Sequence, residues 1–408
     1  MCGIVAGCTQ RDVVPILLAG LHALEYRGYD SAGLAVLEEG RLARLRTPGK
    51  VASLDALCQA SPIHGRTGIA HTRWATHGVP NEANAHPHVS NDTVAVVHNG
   101  IIENHAELRD ELKAAGYAFT SDTDTEVIVH LVHRLMSQGH GLREAVTEAT
   151  RRLRGAFAIA IVHREHPGHV VGARRGSPLC VGVGIGEHFL GSDVQALIQV
   201  TNRIVYLEEG DVAEITPDTL SIHAADGRAV TRKVRESDLS LDAVERGEYR
   251  HYMLKEIFEQ PIAVANTLEG RIADGRILPN IFGVDADRLL LKVHHVHVVA
   301  CGTSYHAGMV ARYWLEGIAG IPCSVEVASE YRYRNVVVMP DTLFLAISQS
   351  GETADTLAAL REGRERGYLG SFAVCNVPES SLVRESDLAL MTRAGPEIGV
   401  ASTKAFTT

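Results

Sequence analysis

The chain has 408 residues, 45% hydrophobic and 22% charged, enough for two or three domains with full cores. A net charge of −10 without a long basic stretch argues against nucleic acid and anionic membrane as partners, and no apolar run reaches the length of a membrane span. Seven scattered cysteines, never spaced as CxxC, point to reduced thiols in a cytoplasmic protein rather than to disulfides or a zinc ribbon.

The chain opens Met1-Cys2-Gly3-Ile4-Val5-Ala6-Gly7, and trimming of the initiator before a small residue would make Cys2 the first residue. Sulfur and free amine then share one residue. With reference pKa values of about 8.5 and 7.7–8.0, the amine can take the thiol proton without a histidine partner. The competing reading is a small buried hydrophobe at the start of a strand. Val13, Ile16, Leu17, Leu21 and Leu24 recur at helical spacing, and the polar turn from Glu25 to Gly33 leads into a strand Leu34–Leu37. Residues 67–79 read as a short strand opening into a loop that holds Arg73, Trp74, Thr76 and His77. A strand Val94–Val97 ends on His98-Asn99-Gly100. Two helices follow, the second from Thr125 with Asp122-Thr123-Asp124 at its N-terminal cap.

From Gly155 the pattern turns to short β-rich runs: 156–162, 170–173, 179–183, 188–191, 204–207 and 212–215. Such runs beside helices suggest stacked sheets flanked by helices. Residues 233–260 are charged and weakly apolar, a linker leading to a helix around 253–258, with a boundary near residue 240. His71, His77, His86 and His88 cluster, but no carboxylate or cysteine joins them at a ligand spacing, so no metal site is expected. His294, His295 and His297 read as a strand entry or edge.

A thiolate attacking a carboxamide needs an oxyanion stabiliser, and Asn99 with the Gly100 N–H offers one. An amino-acid substrate needs a cation for its carboxylate, as Arg73 could supply, and an anion for its ammonium, as Asp124 could. A surface arginine, a turn asparagine and a helix-cap aspartate are the plainer alternatives, and spacing does not decide between them. Downstream, strands 296–300, 324–327, 343–347 and 371–375 alternate with helices, implying a parallel sheet with ligands at its carboxyl ends. The Ser348-Gln-Ser-Gly-Glu-Thr353 loop is rich in hydroxyls at a helix N-terminus, which favours a phosphate, although a helix cap with incidental serines reads equally well.

The opening Cys-Gly-Ile-Val, Glu25–Gly33, His71-Thr-Arg-Trp-Ala-Thr-His-Gly, Asn84-Ala-His-Pro-His and His98-Asn-Gly-Ile-Ile-Glu-Asn together resemble the type 2 glutamine amidotransferase domain of N-terminal-nucleophile kind, over residues 2–239. The resemblance implies a four-layer αββα fold (class α+β) with Cys2 as nucleophile, its own amine as base, and Asn99 and Gly100 as oxyanion hole. Arg73, Thr76, His77 and Asp124 would hold glutamine, Trp74 would gate the departing ammonia, and Arg27 would support the Cys2 loop. Cys301-Gly-Thr-Ser, Ser348-Gln-Ser-Gly-Glu-Thr-Ala-Asp-Thr and Ala401-Ser-Thr-Lys-Ala-Phe-Thr resemble a sugar-isomerase (SIS) domain, an α/β parallel-sheet domain over residues 261–408, with 240–260 as linker and lead-in helix.

Joined, the two halves resemble the family of glutamine–fructose-6-phosphate aminotransferases (isomerizing). That implies L-glutamine and fructose 6-phosphate as substrates, no cofactor, and a homodimer built through the SIS region. Thr303, Ser304, Ser348, Gln349, Ser350, Thr353 and Ser402 would bind the sugar phosphate. The family continues through a second SIS domain carrying an acid/base glutamate, a histidine and a Schiff-base lysine, so the chain reads as a fragment whose glutaminase half is complete. An asparagine synthetase would need an SGGxD-type nucleotide loop and an amidophosphoribosyltransferase an acidic pair before a Gly-Thr-Thr loop, and the sequence has neither. A sugar-phosphate-sensing regulator is the rival from another class.

Overall fold

The computed structural model describes residues 2–25, 28–74, 79–237, 249–273, 275–277, 279–283, 286–378 and 380–408. The chain divides into two compact units, Met1–Leu241 and Asp242–Thr408.

The first unit is built from two antiparallel sheets. In the first, Gly3–Cys8 lies between His188–Gly191 and Thr67–Arg73, and Ser31–Glu38 follows, edged by Arg41–Pro48. In the second, Val94–Ile102 lies between His88–Ser90 and Gly155–His163, followed by Val170–Arg175, Val212–Ile215 and Leu220–His223. Strand alternation sorts the side chains. Ile4, Ala6 and Cys8 point into the layer between the sheets with Ala35, Ile69, Ala95, Val97, Ala158 and Ala160. Val5, Leu34, Val36 and Ala70 face the other way, onto Leu17 and Leu21 of helix Val14–Leu24 and Leu54 of helix Val51–Ala60. Val94, Val96, Ile159 and Ile161 likewise pack on helices His105–Ala114, Glu126–Ser137 and Leu142–Arg152. Two apolar sheet faces pressed together, each outer face covered by helices, give the four-layer αββα arrangement.

Local details correct the sequence reading. His98, Asn99 and Gly100 lie inside a strand that runs on to Ile102, with Asn99 opposite Ala158. Three helices follow it, not two. Neither aspartate caps the second: Thr125 is the N-cap residue, without a side-chain cap bond, and Asp124 Oδ2 accepts the Ile102 N–H at 2.7 Å. The extra strand Arg41–Pro48 escaped notice because it is an edge strand rich in arginine, with few apolar positions to mark it.

The second unit holds a five-stranded parallel sheet in the order Cys323–Val327, His295–Ala300, Thr342–Ser348, Gly370–Cys375, Leu388–Met391. Val299, Ala346 and Ala373 bury against Leu357, Leu360 and Leu382 on one face, while Val296, Val298 and Leu343 form the other core. His295 opens the strand His295–Ala300, a strand entry as expected, and because that strand is paired on both sides neither His295 nor His297 lies at a sheet edge. His295 meets Ser324 Oγ and Thr342 Oγ1 at 3.1 and 3.2 Å, and His297 meets Tyr368 Oη at 2.8 Å and Glu326 at 3.2 Å. Among the described residues no helix is long and apolar enough to cross a membrane.

In the first unit three of the clustered histidines, His71, His86 and His88, are buried together, His71 stacked on His86 and His88 edge-on to it, while His77 lies outside the described residues. The His71 and His86 rings lie 4.1 Å apart, and His86 and His88 4.9 Å apart. His71 Nε2 sits 3.0 Å from both His98 O and Asn99 Oδ1, two acceptors, so that nitrogen carries the proton. His86 Nδ1 accepts the His98 N–H at 3.2 Å. Among the described residues, no group of three or more His, Cys, Asp or Glu side chains is disposed to hold a metal. Burial pushes His71 down to about 3, and burial, opposed by Glu126, leaves His88 at about 3.

These depressed values make stability depend on pH. Below about 6.5 the unfolded chain binds protons that the folded imidazoles refuse until pH 3 is approached, so stability is full above that range and falls as pH drops through it. The urea midpoint of the first unit should fall between pH 7 and 5. In His71→Gln the fall should be shallower by up to about 1.4 kcal/mol per pH unit, and equal slopes would contradict a neutral buried His71. Ile4→Ala in the intersheet layer should cost about 2–5 kcal/mol in denaturant unfolding. Ile185→Ala, at a position 97% exposed, should stay within about 0.5 kcal/mol.

Candidate functional site

Three strands of the first unit deliver their inward-facing residues to one end of the intersheet layer. Cys2 precedes Gly3–Cys8 on the parity of Ile4 and Ala6, Arg73 ends Thr67–Arg73 on the parity of Ile69, and Asn99 follows Ala95 and Val97. Because Gly3 pairs with Thr72, Cys2 and Arg73 fall at the same end. There a pocket of about 260 Å³ is lined by Cys2, Arg73, Trp74, Gly100 and Asp124, with His86, His98, Thr123 and Thr125 completing its wall.

Each functional side chain is fixed by its neighbours. Cys2 Sγ accepts the Trp74 N–H at 3.3 Å. Desolvation pushes its thiol pKa up, while the Trp74 bond and the Arg73 charge pull against that rise. Asn99 Nδ2 donates to Cys2 O at 3.0 Å, and its Oδ1 is held by His71 Nε2 at 3.0 Å, so the amide has one orientation. Asp124, 5% exposed, is anchored through Oδ2 to Ile102 N–H. Arg109 donates to Ser121 O and Thr123 O at 3.0 and 2.6 Å, pinning the segment that carries Asp124.

Two glycines permit close approach. Gly100 has φ +124°, and a Cβ there would lie 2.0 Å from Ala156 O. At Gly28 a Cβ would lie 2.6 Å from the Arg73 carbonyl carbon and 2.8 Å from Trp74 N, so a bare backbone is required where this loop rests on the Cys2 neighbourhood. Tyr29 meets the Trp74 ring edge-on at 5.4 Å.

The structure thus gathers Cys2, Arg73, Trp74, Asn99, Gly100 and Asp124. Arg27, Thr76 and His77 lie outside the described residues. Sequence reasoning missed Thr123, Thr125, His86 and His98 as pocket lining. For His86 and His98 the available signal was their place within the motifs around Asn84 and His98. A half-buried thiol beside a cation and a carboxylate in one cavity, with an oriented amide donor bonded to its own residue, is suited to acyl transfer from a zwitterionic amide.

In the second unit a pocket of about 300 Å³ opens at the carboxyl end of the parallel sheet, lined by Ser304, Ser348, Gln349 and Ser402 together with Asn376, Thr392, Ala307 and Phe406. Ser348 Oγ accepts the Gly351 N–H at 3.0 Å and lies 3.3 Å from Thr353 Oγ1, while Ser350 Oγ accepts the Glu352 N–H at 3.2 Å. Thr303, Ser350 and Thr353 accordingly lie outside the lining, the latter two turned into the loop's own bonds. Asn376 was not foreseen. Its Oδ1 accepts from Thr392 Oγ1 at 3.1 Å and Ala394 N at 2.7 Å, which ties two strand ends together at the pocket floor. Hydroxyls beside the N-terminus of helix Ala354–Arg364 suit an anionic group.

Comparison with known proteins agrees with both halves. The glutamine amidotransferase domain family matches residues 71–199, and the SIS domain family matches residues 289–408. The glutamine–fructose-6-phosphate aminotransferase [isomerizing] of Pseudomonas syringae pv. tomato is 61% identical over 409 residues, covering 100% of this chain and 67% of its own length. Its counterpart from Escherichia coli K12 is 60% identical over the same shares. Among solved structures, glutamine phosphoribosylpyrophosphate amidotransferase from B. subtilis, complexed with ADP and GMP, aligns over 92% of this chain and 81% of its own with a TM-score of 0.50 at 18% identity, a likeness of fold alone. The chain spans about two thirds of the length of its curated relatives, and it belongs to the glutamine–fructose-6-phosphate aminotransferase (isomerizing) family.

Proposed function

We propose that this protein transfers ammonia from L-glutamine to D-fructose 6-phosphate, giving D-glucosamine 6-phosphate and L-glutamate, the first step of hexosamine synthesis. The observation that carries the reading is the convergence of Cys2, Arg73, Gly100 and Asp124 on one cavity, with the Asn99 amide bonded to the Cys2 carbonyl, in a chain whose second unit holds a hydroxyl-lined pocket.

Removal of Met1 frees the Cys2 amine, which accepts the thiol proton. The thiolate attacks the glutamine side-chain carbonyl carbon, and the C=O electron pair moves onto oxygen. Asn99 Nδ2 carries two hydrogens: one holds Cys2 O, and the other is available to that oxyanion beside the Gly100 N–H. Arg73 takes the substrate carboxylate and Asp124 its ammonium, Oδ1 being left for this once Oδ2 has taken Ile102 N–H. Thr76 and His77 help to hold the glutamine head, and Arg27 supports the Cys2 loop. The C–N bond then breaks, ammonia leaves with the proton held by the amine, and Trp74 gates its path. Water hydrolyses the thioester to release glutamate.

On the other side of the transfer, Thr303, Ser304, Ser348, Gln349, Ser350, Thr353 and Ser402 bind the sugar phosphate, Ser304, Ser348, Gln349 and Ser402 from the pocket wall itself. The enzyme works in the cytoplasm as a homodimer through its SIS region and needs no cofactor.

Cys2→Ala should reduce glutamate release from glutamine to background while leaving the melting temperature unchanged; persistent release would remove Cys2 from the nucleophile role. Asp124→Asn keeps an acceptor for Ile102 N–H but loses the charge facing the ammonium. Its glutamine KM should rise by roughly 10–100-fold, the loss of one charge-assisted hydrogen bond, and an unchanged KM would displace Asp124 from the pocket.

A further inference from the structure

Residues 392–403 form neither helix nor strand, yet they carry Ser402 to the wall of the second pocket. A segment of that kind must find acceptors for its backbone N–H groups. Here two buried carboxylates supply them. Glu256, 2% exposed on helix Tyr252–Leu268, accepts the N–H of Ile398 at 2.5 Å and of Gly399 at 2.9 Å through Oε1. Glu397, 5% exposed, accepts the N–H of Thr403 at 2.7 Å and of Ala405 at 3.3 Å. One turn along the same helix, Glu259 holds the buried Lys404 ammonium at 2.7 Å. Both ends of the segment are thereby tied, one to a helix remote in sequence and the other to its own first carboxylate.

We infer that Glu256 and Glu397 are positioning residues for the sugar-phosphate site, presenting Ser402 to the ligand by fixing the backbone of residues 397–405. This rests on reading the pocket as the sugar-phosphate site. Burying a carboxylate is costly unless its hydrogen bonds repay it, and four backbone donors converging on two side chains are a built arrangement rather than a solvated surface. The two carboxylates act at different points. Glu256 fixes the segment's approach at Ile398 and Gly399, and Glu397 closes the turn around Ser402.

The test compares Glu256→Ala and Glu256→Gln with the unaltered chain, measuring fructose 6-phosphate binding by calorimetry and amide hydrogen exchange at Ile398 and Gly399. Glu256→Ala should weaken binding about tenfold or more, the equivalent of one lost buried hydrogen bond, and should speed exchange at both amides. Glu256→Gln keeps a carbonyl acceptor and should restore both to near their original values, a rescue that general destabilisation would not produce. If Glu256→Ala does not fold, Gly399→Ala gives the same reading, because a Cβ there would lie 2.5 Å from Glu256 Oε2 and displace the carboxylate. Unchanged affinity in the variant, or a Gln variant as weak as the Ala one, overturns the inference. Failure of the unaltered chain to bind fructose 6-phosphate overturns instead the reading of the pocket.

Discussion

Everything in the first unit depends on the alternation of side chains across two sheets pressed face to face. Ile4, Ile69 and Val97 are drawn into the dry layer because apolar area leaves water there, and the same alternation carries Cys2, Arg73 and Asn99 to the layer's end. The polar residues arrive where apolar packing stops. They need no dedicated scaffold, since a one-residue slip of any strand would turn its contribution to the opposite face.

What fixes the polar groups once they arrive is a chain of neutral donors and acceptors. His71 holds Asn99, Asn99 holds the carbonyl of Cys2, and Trp74 N–H reaches the sulfur. A charged imidazole in that stack would cost far more than it could return, which is why burial keeps His71 unprotonated across the neutral range. The second unit meets a similar demand with the opposite means, using buried carboxylates to satisfy backbone N–H groups of an irregular segment. In both units the residue facing the pocket is placed by another that does not touch it.

Much of this was legible in the sequence. The β-rich runs after Gly155 and the βα alternation after residue 295 announced the two architectures, and the four strands read in the second unit all lie in its sheet. Asn99 was placed at a strand end because Asn-Gly usually marks a turn, whereas pairing with Ala158 and Phe157 carries the strand through it. Asp124 looked like a cap because Asp precedes a helix, but its partner, Ile102 N–H, lies 22 residues back in the chain, beyond any local rule. Asn376 and Glu256 carried no motif signal of their own, and tertiary contacts alone reveal them. Ser350 and Thr353 show the converse: motif members that lie outside the pocket lining.

The central claim is that sulfur and a free amine on one residue attack a glutamine amide. The most direct measurement is peptide mapping by mass spectrometry after incubation with a glutamine analogue that bears a thiol-reactive diazoketone in place of the amide. The account predicts a single adduct on Cys2 in chains that begin at Cys2, blocked by excess glutamine. An adduct on another cysteine, or equal labelling of chains that still carry Met1, would contradict it.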